Sequence, residues 1–395
     1  MDAEEARTIG RRVRQIRDAR GKSQQVIADR AGMSKTMLWR IEHGEHALDS
    51  RSETAALANA LEVAASELTK QLEPTPGNGE GEAVKATRRA LIAVSRDDPA
   101  GQVVPADVLR ARVEALVVAQ RACDLERVGR DLPGLIRDLH TSMAAGRDVG
   151  ELLTIAVLLH VQGSHAFLGD IGAAADLCWQ AATLALQAAR EYDTADCRGL
   201  AAFGAANGLL AAGEFDEAQA ELDSVSVPTN SVESMQLAGM LAMSRALVAA
   251  AHKRPADVDA PLEYAAELAA RTGEGNAYWL AFGPTNVGVW RASAALEARD
   301  FAQAASIAEG LQPELLPTAT RQATYWANYG RALARIRGRH DDAVRALRRA
   351  ELISPGRVQR NPFVREVLAV LLPGARRDAV GRELRGMAYR AGLLV

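Results

Sequence analysis

The chain has 395 residues, with 47 basic against 50 acidic side chains and only 4% aromatic residues. That length leaves room for two or three domains with a large core, and the near-neutral balance removes net charge as an argument for a nucleic-acid partner. Aromatic and β-branched residues are too sparse for a sheet protein, so an all-helical chain is expected. In chain order, Thr8 to Arg20 reads as a first helix, with Ile9, Val13 and Ile16 on one apolar face. Its other faces carry Arg7, Arg11, Arg12, Arg14, Arg17 and Arg20 against a single Asp18. Ser23 is placed to cap a short helix running to Ala31. Gly32 supplies a positive φ for a tight turn, and Ser34 caps a second helix ending near Glu42. Two short helices joined this way form a helix-turn-helix. Ala28 is small where the two helices cross. Ile27, Leu38 and Ile41 form a buried stripe, which leaves Lys35, Thr36, Trp39, Arg40 and His43 on the opposite face. Ser52 to Leu61 and Ser66 to Leu72 supply two closing helices, with Leu57, Leu61, Val63 and Leu68 as core residues.

Residues 7 to 72 resemble an XRE-type (lambda- and 434-repressor-like) helix-turn-helix domain. The residues that carry the resemblance are Ser23-Gln24, Ala28, Gly32, Ser34 and Ile41-Glu42-His43-Gly44. It implies that Gln24 touches a phosphate and that Lys35, Thr36 and Arg40 face the bases of double-stranded DNA. It also implies that Glu42 pairs with Arg17 as a structural ion pair. Trp39 departs from the small or polar residue usual at its position, and two readings are open: packing on a sugar or thymine methyl, or folding back onto the domain. Beside such a motif, part of the first-helix arginine run, with Arg11 and Arg14, is expected to face phosphates. The expected DNA-binding set is therefore Gln24, Ser34, Lys35, Thr36, Trp39, Arg40, Arg11 and Arg14.

Glu73 to Glu82 contains two Pro, three Gly and three Glu in ten residues. This composition cannot bury a core and marks a flexible linker. The domains expected are a reader over 1–72, a linker over 73–83 and a helical-repeat domain over 84–395. Within the last, the turns around Ile171, Phe215, Pro255, Phe301 and His340 recur. In four of the five a bulky residue is followed three later by Ala: Ala174, Ala218, Ala304 and Ala343. Such repetition builds a continuous core from helical pairs that cannot fold alone. This half resembles tetratricopeptide (TPR) repeats, with a period longer than the ~34 residues usual for them.

In TPR domains one face of the first helix of each pair lines a concave groove. Carried over, that pattern gives Phe203 and Asn207, then Met240, Met243 and Leu247. The later repeats give Asn286, Val289 and Ser293, then Tyr325 and Asn328. Asn amides with Met and aromatic pockets suit an extended peptide, while a small hydrophobic metabolite fits the same lining. The alternative is that these Asn residues satisfy local backbone. Gly283-Pro284 interrupts an aromatic stretch and predicts a helix start at Pro284 or Thr285.

No catalytic constellation, phosphate loop or HExxH spacing is present, so no enzyme activity and no cofactor are expected. Cys123, Cys178 and Cys197 lack CxxC spacing, which fits free thiols and no metal site. The acidic first residues do not read as a signal peptide, and no uncharged apolar run approaches ~18 residues, so a cytoplasmic protein without a membrane partner is expected. Head and repeats together imply a transcriptional regulator that binds a near-palindromic operator as a homodimer, under control of a peptide or small-molecule effector. The competing expectation is a DNA-tethered scaffold that docks another protein.

Overall fold

The computed structural model describes residues 8–69 and 78–393. Every element among them is helical. Five helices form the head: α1 (Ile9–Ala19), α2 (Gln24–Arg30), α3 (Lys35–Glu42), α4 (Arg51–Ala60) and α5 (Ala65–Thr69). Thr8, Ser23 and Ser34 cap the first three, each accepting a backbone N–H three residues on. Ile9, Val13, Ile27, Ala28, Leu38, Ile41, Leu57, Leu61 and Leu68 fill the core between them. A Cβ at Gly10 would lie 2.0 Å from the Ile41 carbonyl oxygen, so α1 crosses α3 at a separation that only glycine permits.

Residues 73–77 of the expected linker and residues 70–72 of the expected fifth helix lie outside the described residues. Asn78–Glu82, also expected in the linker, instead form the first turns of α6 (Asn78–Ser95). The Gly and Glu content of that stretch weakens helix propensity, but docking of the later turns against the next helices prevails. Next come α7 (Ala106–Arg121), α8 (Leu125–Ala144) and α9 (Val149–Leu158). The last runs without a break through a π-helical stretch, Leu159–His165, into α10 (Ala166–Asp170).

The expected repeats are hairpin pairs. After α10 comes α11 (Ala175–Tyr192), then α12 (Ala195–Ala212) with α13 (Phe215–Asp223), and α14 (Val232–Ala251) with α15 (Asp259–Thr272). The series continues with α16 (Pro284–Glu297) and α17 (Phe301–Glu309), then α18 (Ala319–Ala334) and α19 (His340–Ile353). Helices α20 (Pro355–Gln359), α21 (Pro362–Leu371) and α22 (Ala379–Arg390) close the chain. The first helices α12, α14, α16 and α18 pack side by side as an inner layer. Ala218, Ala304 and Ala343 are buried where the returning helices cross, as the repeat predicts. Ala174 is exposed and takes no part in such a crossing.

Two helical stretches, Val149–Asp170 and Val232–Ala251, are long and apolar enough to cross a membrane. They lie 72% and 89% buried inside the stack, where they form its core. The stack curves until its ends meet. Arg357 on α20 holds Asp170 on α10 with an N–O distance of 2.9 Å, and Gly356 packs against Leu125.

The head is docked on the outside of this closed stack through polar contacts. Buried Glu366 on α21 accepts the backbone N–H groups of Ile9, at 2.5 Å, and Leu48, at 3.4 Å. Glu297 at the end of α16 accepts the Arg51 backbone N–H at 3.0 Å and pairs with the Arg51 guanidinium. Arg299 pairs with Glu53, and Arg331 donates to the Asp49 carbonyl at 2.6 Å. The His46 ring sits between the guanidiniums of Arg299 and Arg335, at 3.0 and 3.1 Å. Gly213, with φ +87°, ends α12 where a Cβ would come within 3.2 Å of Ala55 in the head.

Burial pushes the Glu366 carboxyl up to about 7 against the opposing pull of its two N–H donors. Burial, with Arg335 and Arg299, pushes His46 down to about 4. Folded protein therefore keeps a proton on Glu366 that the unfolded chain has released, which costs stability as pH rises from about 4.5 to 7. It also refuses His46 a proton that the unfolded chain takes up, which costs stability as pH falls from 6.5 to 4. Glu53, raised mainly by burial, acts in the same direction as Glu366. In the shared window the two slopes oppose each other. Relative to wild type, Glu366→Gln is expected to lose stability as pH falls from about 7 to 4.5. His46→Gln is expected to lose it as pH rises from about 4 to 6.5. The limit in each case is about 1.4 kcal/mol per pH unit. Urea midpoints across pH check this, and parallel profiles for all three proteins would refute it. Differences from wild type also cancel the buried His140, His160 and His165, whose pKa values burial lowers in every variant.

Candidate functional site

Helix α3 presents two faces of different character. Leu38, Ile41 and Glu42 point inward, whereas Lys35, Thr36, Trp39, Arg40 and His43 are exposed with the whole stack in place. Ser34 precedes them, and its hydroxyl accepts the Met37 N–H at 3.1 Å, so this side chain serves the helix start. Neither Lys35 nor Arg40 makes an ion pair among the described residues, which leaves two cationic groups on the outward face. Trp39 does not fold back into the core. Its ring is 40% exposed and stacks on His43 with centroids 4.2 Å apart, while His43 Nδ1 meets the Trp39 carbonyl at 2.7 Å.

Behind this face a charged network fixes the helix. Arg17 on α1 meets Glu42 through two parallel contacts, Nε to Oε1 at 2.6 Å and Nη2 to Oε2 at 2.9 Å. This is the pair that the family resemblance implied. The Gln24 amide donates to Glu42 Oε2 at 2.7 Å and is thereby held at the start of α2. Of the arginine run on α1, Arg12 is tied to Glu67 and Arg20 to Glu62. Arg11 and Arg14 are exposed, with Arg14 3.7 Å from Asp18. The outward side of α3 thus presents Lys35 and Arg40, and α1 presents Arg11 and Arg14, over a buried charged pair.

Residues 8–71 match the family model of the helix-turn-helix domain. The chain thus carries a DNA-binding head of helix-turn-helix type followed by a long helical stack. Among solved structures, the chain is similar to ComR from S. thermophilus, in complex with DNA and its signalling peptide ComS. The likeness has 17% sequence identity and a TM-score of 0.31, and covers 81% of this chain and 99% of that one. A score that low transfers nothing from that complex to this chain. No curated protein matches the sequence.

The residues expected to line a groove are mostly core. Met240 and Met243 are fully buried, as is Asn286, whose Nδ2 faces Met240 Sδ at 3.8 Å. Val289 and Tyr325 belong to a small apolar cluster with Ala308 and Leu316, and the Tyr325 hydroxyl donates to the Ala308 carbonyl at 2.8 Å. Asn328 spends its amide on Ser293 at 2.9 Å and on Arg331 at 3.2 Å. Leu247 is buried as well. The inner layer is the one expected, but neighbouring pairs press these faces together instead of leaving them open.

An open space lies between the first and last helices of that layer, α12 and α18, where the ends of the stack meet. It is a cavity of about 270 Å³, and of the expected residues only Phe203 and Asn207 reach it. Asn207 donates to the Phe203 carbonyl at 2.8 Å, which is the local role that the alternative reading gave it. The remaining wall includes Arg121, Gln162, His165, Asp170, Trp290, Arg321 and Arg357. Arg321 lies one turn before Tyr325 on α18. A register shift of a single turn therefore separates the expected lining on that helix from the observed one.

The π-helical stretch is part of this wall. Its wider winding brings Val161, Gln162 and His165 to the cavity. Gln162 also donates to the Tyr278 carbonyl at 2.7 Å, inside a loop where Tyr278, Trp279 and Ala281 all have left-handed φ. Among the described residues no group of His, Cys, Asp and Glu is disposed to hold a metal ion.

The network behind α3 gives a direct test. Glu42→Ala leaves the Arg17 guanidinium buried without its counter-charge and strands Gln24, at an expected cost of about 3–5 kcal/mol. Trp39→Ala removes a half-exposed ring whose ring partner lies on its own helix, and is expected to cost no more than about 1 kcal/mol. Thermal unfolding of the two variants separates them. Equal losses would mean that Trp39 is part of the packing of the head.

Proposed function

We propose that this protein is a sequence-specific DNA-binding transcriptional regulator whose operator binding is controlled by a ligand held in the cavity of the helical stack. Lys35, Thr36 and Arg40, with Trp39 at the edge, read base edges in a major groove. Arg11 and Arg14 contact phosphates, joined by Gln24 and by the backbone at the start of α3 behind Ser34. A homodimer places two heads on a near-palindromic operator, roughly 34–36 Å apart for half-sites one turn apart. The chain acts by binding and not by catalysis.

The observation that carries ligand control is the position of α18. Arg321, near its start, lines the cavity, while Arg331 and Arg335, near its end, hold Asp49 and His46 of the head. About 15 Å of helix separates Arg321 from Arg331, at 1.5 Å per residue. A parallel route runs from Arg357 in the cavity through α20 and α21 to Glu366 under the head. A ligand that moves the Arg321 end of α18 acts on the head through a rigid rod, without a flexible relay. This arrangement gives an effector two places from which to bias how the head is held.

The double variant Lys35→Ala/Arg40→Ala is expected to lose at least ~30-fold in affinity for an operator selected from random duplexes, since each good base contact is worth about 1–3 kcal/mol. Its helical content and melting should match wild type. Arg11→Ala and Arg14→Ala should each flatten the dependence of log K on log salt by about one and leave sequence preference intact. Electrophoretic mobility shifts at several salt concentrations measure both. Operator affinity retained in the double variant would overturn the assignment of α3.

A further inference from the structure

The cavity holds more positive charge than its own residues neutralise. Arg121 on α7, Arg321 on α18 and Arg357 on α20 line it together with one carboxylate, Asp170. That carboxylate is already committed, to Arg357 at 2.9 Å and to the Gln120 amide at 2.7 Å. Among the described residues Arg121 finds only a neutral acceptor, Gln162 Oε1, and its Nε is buried without a hydrogen-bond partner. Arg357 Nε is likewise buried and unpartnered. The Arg321 guanidinium has no hydrogen bond or ion pair among the described residues and lies 5.8 Å from the centroid of the Trp290 ring.

The buried Arg17 of the head, by contrast, is matched by the Glu42 carboxylate. Burial, reinforced by Arg121 and Arg357, pushes Arg321 down to about 9, and Arg121 falls to about 10 from burial and Arg357. Clustered like charges of this kind cost stability until an anion arrives. The planar forks of guanidiniums are suited to two-pronged contact with carboxylate or phosphate oxygens. The wall also carries the apolar side chains of Val161, Ala166 and Phe203.

We propose that the cavity binds a small organic oxyanion, with its carboxylate or phosphate on Arg321 between Arg121 and Arg357 and its apolar body against Phe203, Val161 and Trp290. The volume of about 270 Å³ admits a small molecule or one end of a longer one. The consequence for DNA rests on the ligand-control reading; the binding itself does not.

The test uses the full chain and three probes of similar shape: benzoate, phenyl phosphate and neutral benzamide. Calorimetry is expected to show one saturable site per chain for at least one anion, with benzamide at least tenfold weaker. The tighter anion identifies the source as carboxylate or phosphate. Arg321→Gln should weaken the anion at least tenfold and raise the melting temperature of the unliganded protein, because a like charge leaves the cluster. Binding of neither anion, equal binding of anion and amide, or wild-type anion affinity in R321Q would overturn the proposal. The anion–amide comparison needs only wild type, so it stands even if R321Q folds poorly. Operator affinity is measured with and without the bound anion. An anion that binds without changing it refutes ligand control from this cavity while the site stands, and failed anion binding beside intact operator binding refutes the site alone.

Discussion

The placement of the head depends on a buried carboxyl group that two backbone N–H groups share. Glu366 receives Ile9 from the start of α1 and Leu48 from the segment before α4, so one side chain fixes two points of the head at once. Backbone donors at both points make this contact indifferent to the side chains at positions 9 and 48. The surrounding pairs, Arg51 with Glu297 and Arg299 with Glu53, add direction more than energy, because desolvation offsets much of the attraction between buried charges. Beside these polar contacts, Ala47 and Ala55 of the head join the apolar clusters of the stack.

Much of the head was legible in the sequence because its signals are local. Ser23 and Ser34 cap helices, Gly32 turns the chain with φ +64°, and the spacing of Ile27, Leu38 and Ile41 marks the buried stripe. Each of these operates within a few residues. The repeated turns before Phe215, Phe301 and His340 were visible for the same reason, and so was the helix start at Pro284.

The cavity was not legible, and the cause is geometric. Offsets along a helix fix which residues share a face, but not whether the next pair covers that face. Met240, Met243 and Asn286 share a face and are buried by their neighbours. The open space arises where α10 meets α20, through a contact between residues 187 positions apart. No local pattern announces such a meeting. One signal was available in principle: Arg321 sits in an otherwise uncharged run from Ala319 to Asn328, without an acidic residue three or four positions away on either side.

The joining of the first repeats to the last through Asp170 and Arg357 turns an open array into a ring. An open array tolerates gain or loss of a unit, because each unit answers only to its neighbours. A ring does not. Inserting or deleting one hairpin would move α20 by a whole step of the curve and pull the two ends apart, taking the cavity wall with them. The number of hairpins in this chain is therefore fixed by closure, and variation in length is confined to the turns on its outer rim.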